Sequence, residues 1–260
     1  MIGVVEDNIT FRQIVEETAR LLSAVRHDED ASYLRTPVMY PGGSMVVVRV
    51  AALGTRNGSS ADRFLVSDMG LARQEADLMG AAPLFTRWAP KVAERAGVSF
   101  DHRDFFLMEV GRPQLAGAVA TVAACSQEAV QLTAFKLAER RQQDATERLY
   151  ERLVTVFSRD RVAKDVEVLG ASNTPWHVAA LVSSDGHKAV FEPVANHPTA
   201  IAAAVTKFFD IAQLENGPAR IAMVRNKEAF GTKLAVIAGA AKVVDESISD
   251  STLHRLAEAA

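Results

Sequence analysis

The sequence reads as an α/β (α+β) chain: two small mixed-sheet domains joined by a long helix. Three observations carry that expectation. Short β-branched runs closed by Gly, Pro, Asn and Ser alternate with stretches whose apolar residues recur at helical spacing. Asp185-Gly186 lies between two apolar runs as a hairpin turn, because both turn positions tolerate positive φ. Residues 126–161 set one apolar stripe among spaced opposite charges, the pattern of a long solvated helix. The expected domains are residues 1–125 and residues 126–260, the second opening with that helix.

Taken in order, residues 5–26 read as an amphipathic helix, with Asn8 or Thr10 as its cap and Gln13 in the capping-box position after Thr10. The run His27-Asp28-Glu29-Asp30 ends it as a solvated turn. Thr36 to Tyr40 is extended, Pro41-Gly42-Gly43 turns, and Ser44 to Leu53 is a strand in which Arg49 is the one charged residue. A polar loop over residues 54–61 leads to a returning strand ending at Ser67-Asp68. Helices are expected over residues 71–79, closed by Gly80 and Pro83, and over residues 88–96, stopped by Gly97, with a buried strand over residues 105–110. Residues 112–124 form a helix with a thin alanine face, and Ser126 starts the longer one. Asp68, between a strand and a helix, has the position of an N-cap, and Gly70 supplies a positive-φ turn.

Beyond the long helix the order is strand (166–169), strand (176–182), strand (187–194), a helix opened by Asn196-His197-Pro198-Thr199 and stopped by Asn216-Gly217-Pro218, strand (220–224), helix (230–240) and strand (241–244). A final helix after Ser249 or Asp250 docks through Leu253 and Leu256. This order resembles the core of the restriction-endonuclease-like nucleases. The resemblance implies a helix Glu, an Asp on the second strand and an acid-x-Lys on the third, converging on magnesium. Carboxylates hold a hard cation, and metal and Lys together activate water. Glu192 stands where the third-strand acid belongs, but Val194 replaces the Lys, and the second strand offers Trp176-His177-Val178-Ala179 with no Asp. Lys188, four residues before Glu192, and Lys207, on the next helix, are the substitutes for the missing base; Glu147 or Glu151 is the helix acid. His177 and His197 are nearby polar candidates. The plainer reading is a nuclease-like scaffold without catalysis, or an unrelated sheet with one edge glutamate.

A second resemblance covers about residues 30–115. Thr36-Pro37, a strand pair and a terminal Ser67-Asp68-x-Gly70 resemble a bacterial and phage domain of unknown function, commonly found before a C-terminal domain of the same uncharacterised class. It implies a neighbourhood of phage and mobile elements, including defence or anti-defence complexes, more than an activity.

Composition limits what remains. With 48% apolar and 23% charged residues the chain has the balance of a soluble protein, and a formal net charge of −3 excludes a global basic field. Cys125 is the single cysteine, which excludes an intramolecular disulfide. Glu6 and Asp7 stand where a secretory signal carries basic residues, and no apolar run approaches bilayer length, so the expected location is cytoplasmic. No Gly-Lys-Ser/Thr loop, Gly-x-Ser-x-Gly elbow or His-Glu-x-x-His occurs.

The leading expectation is a non-catalytic phage or mobile-element binding protein that engages nucleic acid or a nucleic-acid-handling complex, with no cofactor. The alternative from another class is a magnesium-dependent nuclease, with Glu192, Lys188 and Lys207 catalytic and Glu192, Glu147 and Glu151 holding the metal. A third is a structural homodimer with the long helix as its seam.

Overall fold

The structure is a computed structural model that describes residues 11–54, 62–184 and 186–258. The cap candidates Asn8 and Thr10, the loop after Gly54 and the turn residue Asp185 lie outside the described residues. The chain is α+β and falls into two units that divide at Ala138/Glu139.

The first unit runs α1 (Phe11–Leu21), β1 (Ala24–His27), β2 (Ala31–Met39), β3 (Met45–Leu53), β4 (Arg63–Ser67), α2 (Leu71–Leu78), α3 (Ala82–Ala96), β5 (Ser99–Phe100) and β6 (Phe106–Gly111), then enters α4 (Leu115–Phe157). Its six strands lie in the order β1-β2-β3-β4-β6-β5, antiparallel throughout. One face carries the core. Val46, Val48, Val66 and Phe106 of the sheet pack with Ala72 and Ala76 of α2, Phe85 and Val92 of α3, and Val122 and Val130 of α4. Because side chains alternate across a strand, the intervening residues of β2 and β3 point to the other face, which no helix of this core covers. Pro37 brings no N–H to the β2–β3 ladder, whose register shifts between Arg35 and Met39; the Thr36 hydroxyl donates to the Val46 carbonyl at 2.9 Å instead. This is a physical role for the Thr-Pro step.

Three expectations are corrected. The first helix stops at Leu21, and Ala24 to His27 pair with β2 as a strand. Helix α3 begins at Ala82, with Pro83 in its first turn, where its missing N–H costs nothing. Residues 112–157 hold no break at Ser126: α4 is one 43-residue helix. Ser126 is buried inside it, so it starts nothing, and the expected domain boundary at Cys125/Ser126 falls within the helix.

The second unit continues from α4 through β7 (Val162–Leu169), β8 (Pro175–Ser184), β9 (His187–Pro193), α5 (Pro198–Ala212), β10 (Ala219–Val224), α6 (Lys227–Phe230), α7 (Lys233–Ala238), β11 (Lys242–Asp245) and α8 (Asp250–Glu258). The sheet order is β11-β10-β9-β8-β7. β7, β8 and β9 are antiparallel neighbours, whereas β9, β10 and β11 are parallel. Parallel neighbours require crossovers, and α5 and the α6–α7 pair supply them. The expected single helix over 230–240 is two short ones, parted at Gly231 (φ 53°).

Both faces of this sheet are covered. Leu149, Leu153 and Phe157 of α4 and Leu253 of α8 pack on Ala189, Phe191 and Ile221. Val190, Ala222 and Val224 face Ile201, Phe208 and Ile211 of α5, with Phe230 and Ile237 beyond. The turn from β7 to β8 is tied to the end of α5 by Asp210, which accepts from Trp176 Nε1 (2.7 Å), the Ser172 hydroxyl (2.7 Å) and the Ser172 N–H (2.9 Å). These bonds, Trp176 first, hold the Asp210 carboxyl below its ordinary value.

Candidate functional site

Glu192 lies next to the end of β9. Phe191 points to the α4 face, so Glu192, like Val190, points toward α5. The β8–β9 ladder ends at the Ala180–Phe191 pair. Past that point the Glu192 side chain, not its backbone, meets β8: Oε2 accepts the Ala179 N–H at 2.8 Å. Oε1 is 2.9 Å from Lys207 Nζ. The same ammonium donates to the His177 carbonyl. Lys207 sits one turn from Ala204 and beside Phe208, the buried stripe of α5, which turns its stem inward. The two side chains keep only 15% and 13% of their exposure, so water screens the pair little.

The arrangement is a closed, electroneutral clamp across the place where two strands part. One carboxylate and one carbonyl accept; one amide and one ammonium donate. Glu192 and Lys207, two of the residues singled out from the sequence, are thus brought into contact. Lys188 is not part of the cluster. It lies four residues back along β9, about 13 Å at strand rise, pairs in register with Ser183 near the hairpin end, and is exposed.

The two helix acids stand elsewhere. Leu149 and Leu153 of α4 pack on the sheet face opposite Glu192, and Glu147, on that helix, is ion-paired to Lys164 of β7. Glu151 is exposed on the same helix. His177 is exposed, with Nδ1 3.6 Å from Asp165 Oδ1. His197 caps α5: its Nδ1 accepts the Thr199 N–H at 3.3 Å. Among the described residues no three His, Cys, Asp or Glu side chains converge. A magnesium ion needs several oxygen ligands, including carboxylates not already neutralised. Of the residues assigned to a metal from the sequence, Glu192 alone lies in this cluster, and its Oε1 is paired with Lys207.

A second polar cluster lies in the first unit. Asp68 is fully buried and accepts four hydrogen bonds: from Phe106 N (2.9 Å) and Gly70 N (3.2 Å) at Oδ1, and from Ala72 N (3.3 Å) and the Ser126 hydroxyl (3.1 Å) at Oδ2. The Tyr40 and Ser126 hydroxyls are 2.6 Å apart. The N-cap residue of α2 is Gly70, not Asp68 as the sequence implies; Asp68, two residues earlier, holds the start of that helix through the Gly70 and Ala72 N–H groups and also links β6 and α4. Burial raises its carboxyl above the ordinary value, and the hydrogen bonds only partly offset this. Burial likewise raises the Tyr40 phenol. Gly70 (φ 77°) lies under Phe105, whose ring would be 2.4 Å from an added Cβ. Asp101-His102-Arg103-Asp104 is a turn, with Asp101 Oδ1 accepting from Arg103 N and Phe105 N and with Asp104 ion-paired to Arg73. Sequence reading missed Ser126 as the partner of Asp68, since nothing local distinguishes a buried mid-helix serine from a cap.

No protein-family model, curated protein or solved structure matches this chain. Among the described residues no helix is long and apolar enough to cross a membrane.

Proposed function

We propose that this is a non-catalytic nucleic-acid-binding protein of phage or mobile-element type, built on a restriction-endonuclease-like scaffold in which an internal ion pair stands in place of a metal. The observation that carries the non-catalytic reading is the Lys207–Glu192–Ala179 clamp. The carboxylate that the resemblance assigns to magnesium has both oxygens committed within the protein. The scaffold reading is supported by the order of β7 to β11, three antiparallel strands followed by parallel crossovers. The net charge of −3 supplies no global basic field, so in this reading nucleic acid is met by a local basic surface.

The test is a binding titration with single- and double-stranded oligonucleotides over a range of salt, with and without magnesium, reading both complex and cleavage products. The reading expects affinity that falls steeply with salt, no effect of magnesium, and intact oligonucleotides. Magnesium-dependent cleavage that disappears in Glu192→Gln would replace it with the nuclease. Absence of any binding would move the function to a protein partner.

A further inference from the structure

Among the described residues, the face of the first sheet turned away from its core carries a row of side chains that neither that core nor the Glu192 clamp uses. In register, Arg26 of β1 lies opposite Tyr33 of β2, and Tyr33 lies opposite Arg49 of β3. Directly opposed side chains on one face stand about 5 Å apart. An arginine therefore flanks the tyrosine ring on each side. Arg35 follows Tyr33 on the same face, about 7 Å along the strand, opposite Ala24 and Val47. The face is fixed by its neighbours, because Val46 and Val48 are fully buried in the core on the other side. A shallow cavity of about 470 Å³ opens here, lined by Arg26, Tyr33, Arg35 and Val47 among others.

Three cations in one patch repel one another, so a folded protein usually pairs them. No carboxylate within salt-bridge distance of Arg26, Arg35 or Arg49 occurs among the described residues. Arg35 donates to the Leu21 carbonyl at 3.4 Å. The acidic turn from Asp28 to Asp30 borders the patch, and Asp28 lines the cavity, but its Oδ1 accepts the Glu29 N–H. Trp88 makes a useful contrast: Arg87, Lys91 and Lys136 all lie within 5.7 Å of its ring, so it is already occupied by the protein's own cations. Tyr33 has no such cation over it among the described residues and is half-exposed.

We infer that the Arg26–Tyr33–Arg49 row with Arg35 is a binding platform for single-stranded nucleic acid. It names the surface and the ligand class for the nucleic-acid reading above, and rests on that reading. The arginines answer the phosphates, and the ring offers a face on which an unpaired base stacks; this pairing of basic groove and aromatic is what sequence-tolerant single-strand binding requires. A duplex hides its base faces, so it gains only the phosphate contacts. An anionic lipid surface would use the arginines and leave the ring without a role.

The test uses the full chain and fluorescein-labelled 20-nucleotide single strands (oligo-dT and oligo-U), the matching duplex, and vesicles of phosphatidylcholine with phosphatidylserine. Anisotropy is followed from low to moderate salt for the wild type, Arg26→Gln/Arg35→Gln/Arg49→Gln, Tyr33→Ser and Tyr33→Phe. The inference expects tighter binding to single strands than to duplex. It expects a salt slope shallower by about 2 in the triple variant, since single strands lose about 0.7 per phosphate contact. It expects at least about a fivefold loss in Tyr33→Ser, with Tyr33→Phe near wild type because phenylalanine keeps the ring. Circular dichroism confirms that each variant is folded, and Tyr33→Phe serves as the control that tolerates little disturbance. If the wild type binds single strands and the triple variant binds them equally well, the platform is wrong while the nucleic-acid reading stands. If the wild type binds no nucleic acid, both fall. Binding to anionic vesicles alone overturns the inference in favour of a lipid surface.

Discussion

Replacing Lys207 by Met isolates the energetics of the clamp. Met keeps most of the stem packing against α5 and removes the ammonium, leaving Glu192 largely buried with only the Ala179 N–H. At 2.9 Å and an effective dielectric of about 20, the lost attraction is about 6 kcal/mol before solvation is counted. Desolvation of both groups cancels much of that. Breaking a buried pair from one side costs about 3–5 kcal/mol, and the residual exposure of both side chains places this pair at the lower end, about 3 kcal/mol. With urea m-values of about 1–3 kcal/mol/M, the midpoint falls by about 1–3 M. The assay is urea unfolding in a Trp88→Phe background, so that Trp176, on β8 of the second unit, is the reporter. The double variant Glu192→Gln/Lys207→Met should recover most of the loss, because a neutral amide in place of the carboxylate removes the stranded charge while its oxygen still meets the Ala179 N–H. Unfolding of Lys207→Met at the wild-type midpoint, or a double variant as unstable as the sum of the two single changes, would overturn this assignment of the energy.

Three further outcomes follow from the geometry. Gly170→Ala would place a Cβ 1.9 Å from Asp210 Oδ2 and 2.9 Å from Trp176 Nε1; it should lower the urea midpoint read by Trp176 as the Asp210 bonds are lost, and in an Asp210→Ala background the same change should lower it far less. Asp68→Ala strands the N–H groups of Gly70, Ala72 and Phe106 and should cost the first unit about 3 kcal/mol, read by Trp88 fluorescence in a Trp176→Phe background. The Asp210 carboxyl is held below the ordinary value of 3.8 in the folded state, so its contribution is present above that value and lost as pH falls through the folded one. Acid unfolding of the second unit should therefore flatten in Asp210→Asn, and an unchanged acid profile would contradict the assignment.

Much of the second unit is legible in the sequence because each element is punctuated locally. Gly170 and Asn173 mark the β7–β8 turn, Ser184 and His187 do pair as the close of a hairpin, and Gly217-Pro218 stand before β10. Glu192 and Lys207 are legible as candidates, since one is an isolated acid in an apolar strand and the other a lysine on a helix with a buried stripe. Their contact is not, because it depends on where the β8–β9 ladder ends and on the turn that Lys207 occupies on α5. The first unit hides more. Ala24 to His27 reads as the tail of a helix because four residues are too few to show strand alternation, and only pairing with Ser32 to Arg35 makes them a strand. Ser126 reads as a helix start because serine favours caps; what keeps it inside α4 is a hydrogen bond to Asp68, 58 residues away in the chain. Pro83 reads as a breaker, although the first turn of a helix accepts proline. The arginine and tyrosine row is invisible in sequence order, because its members come from three strands and meet only through register.

Whether Glu192 is committed to Lys207 and Ala179, and so holds no metal, is open to direct measurement by manganese titration of the isotope-labelled protein. Amide resonances are followed by NMR, since manganese takes the same oxygen ligands as magnesium and broadens nearby signals. With the clamp closed, the amides of His177, Ala179 and Glu192 keep their intensity while exposed acidic sites such as the Asp28–Asp30 turn broaden first. Selective loss of the Ala179 and Glu192 signals at low manganese, abolished in Glu192→Gln, would show instead that the carboxylate is free to take a metal.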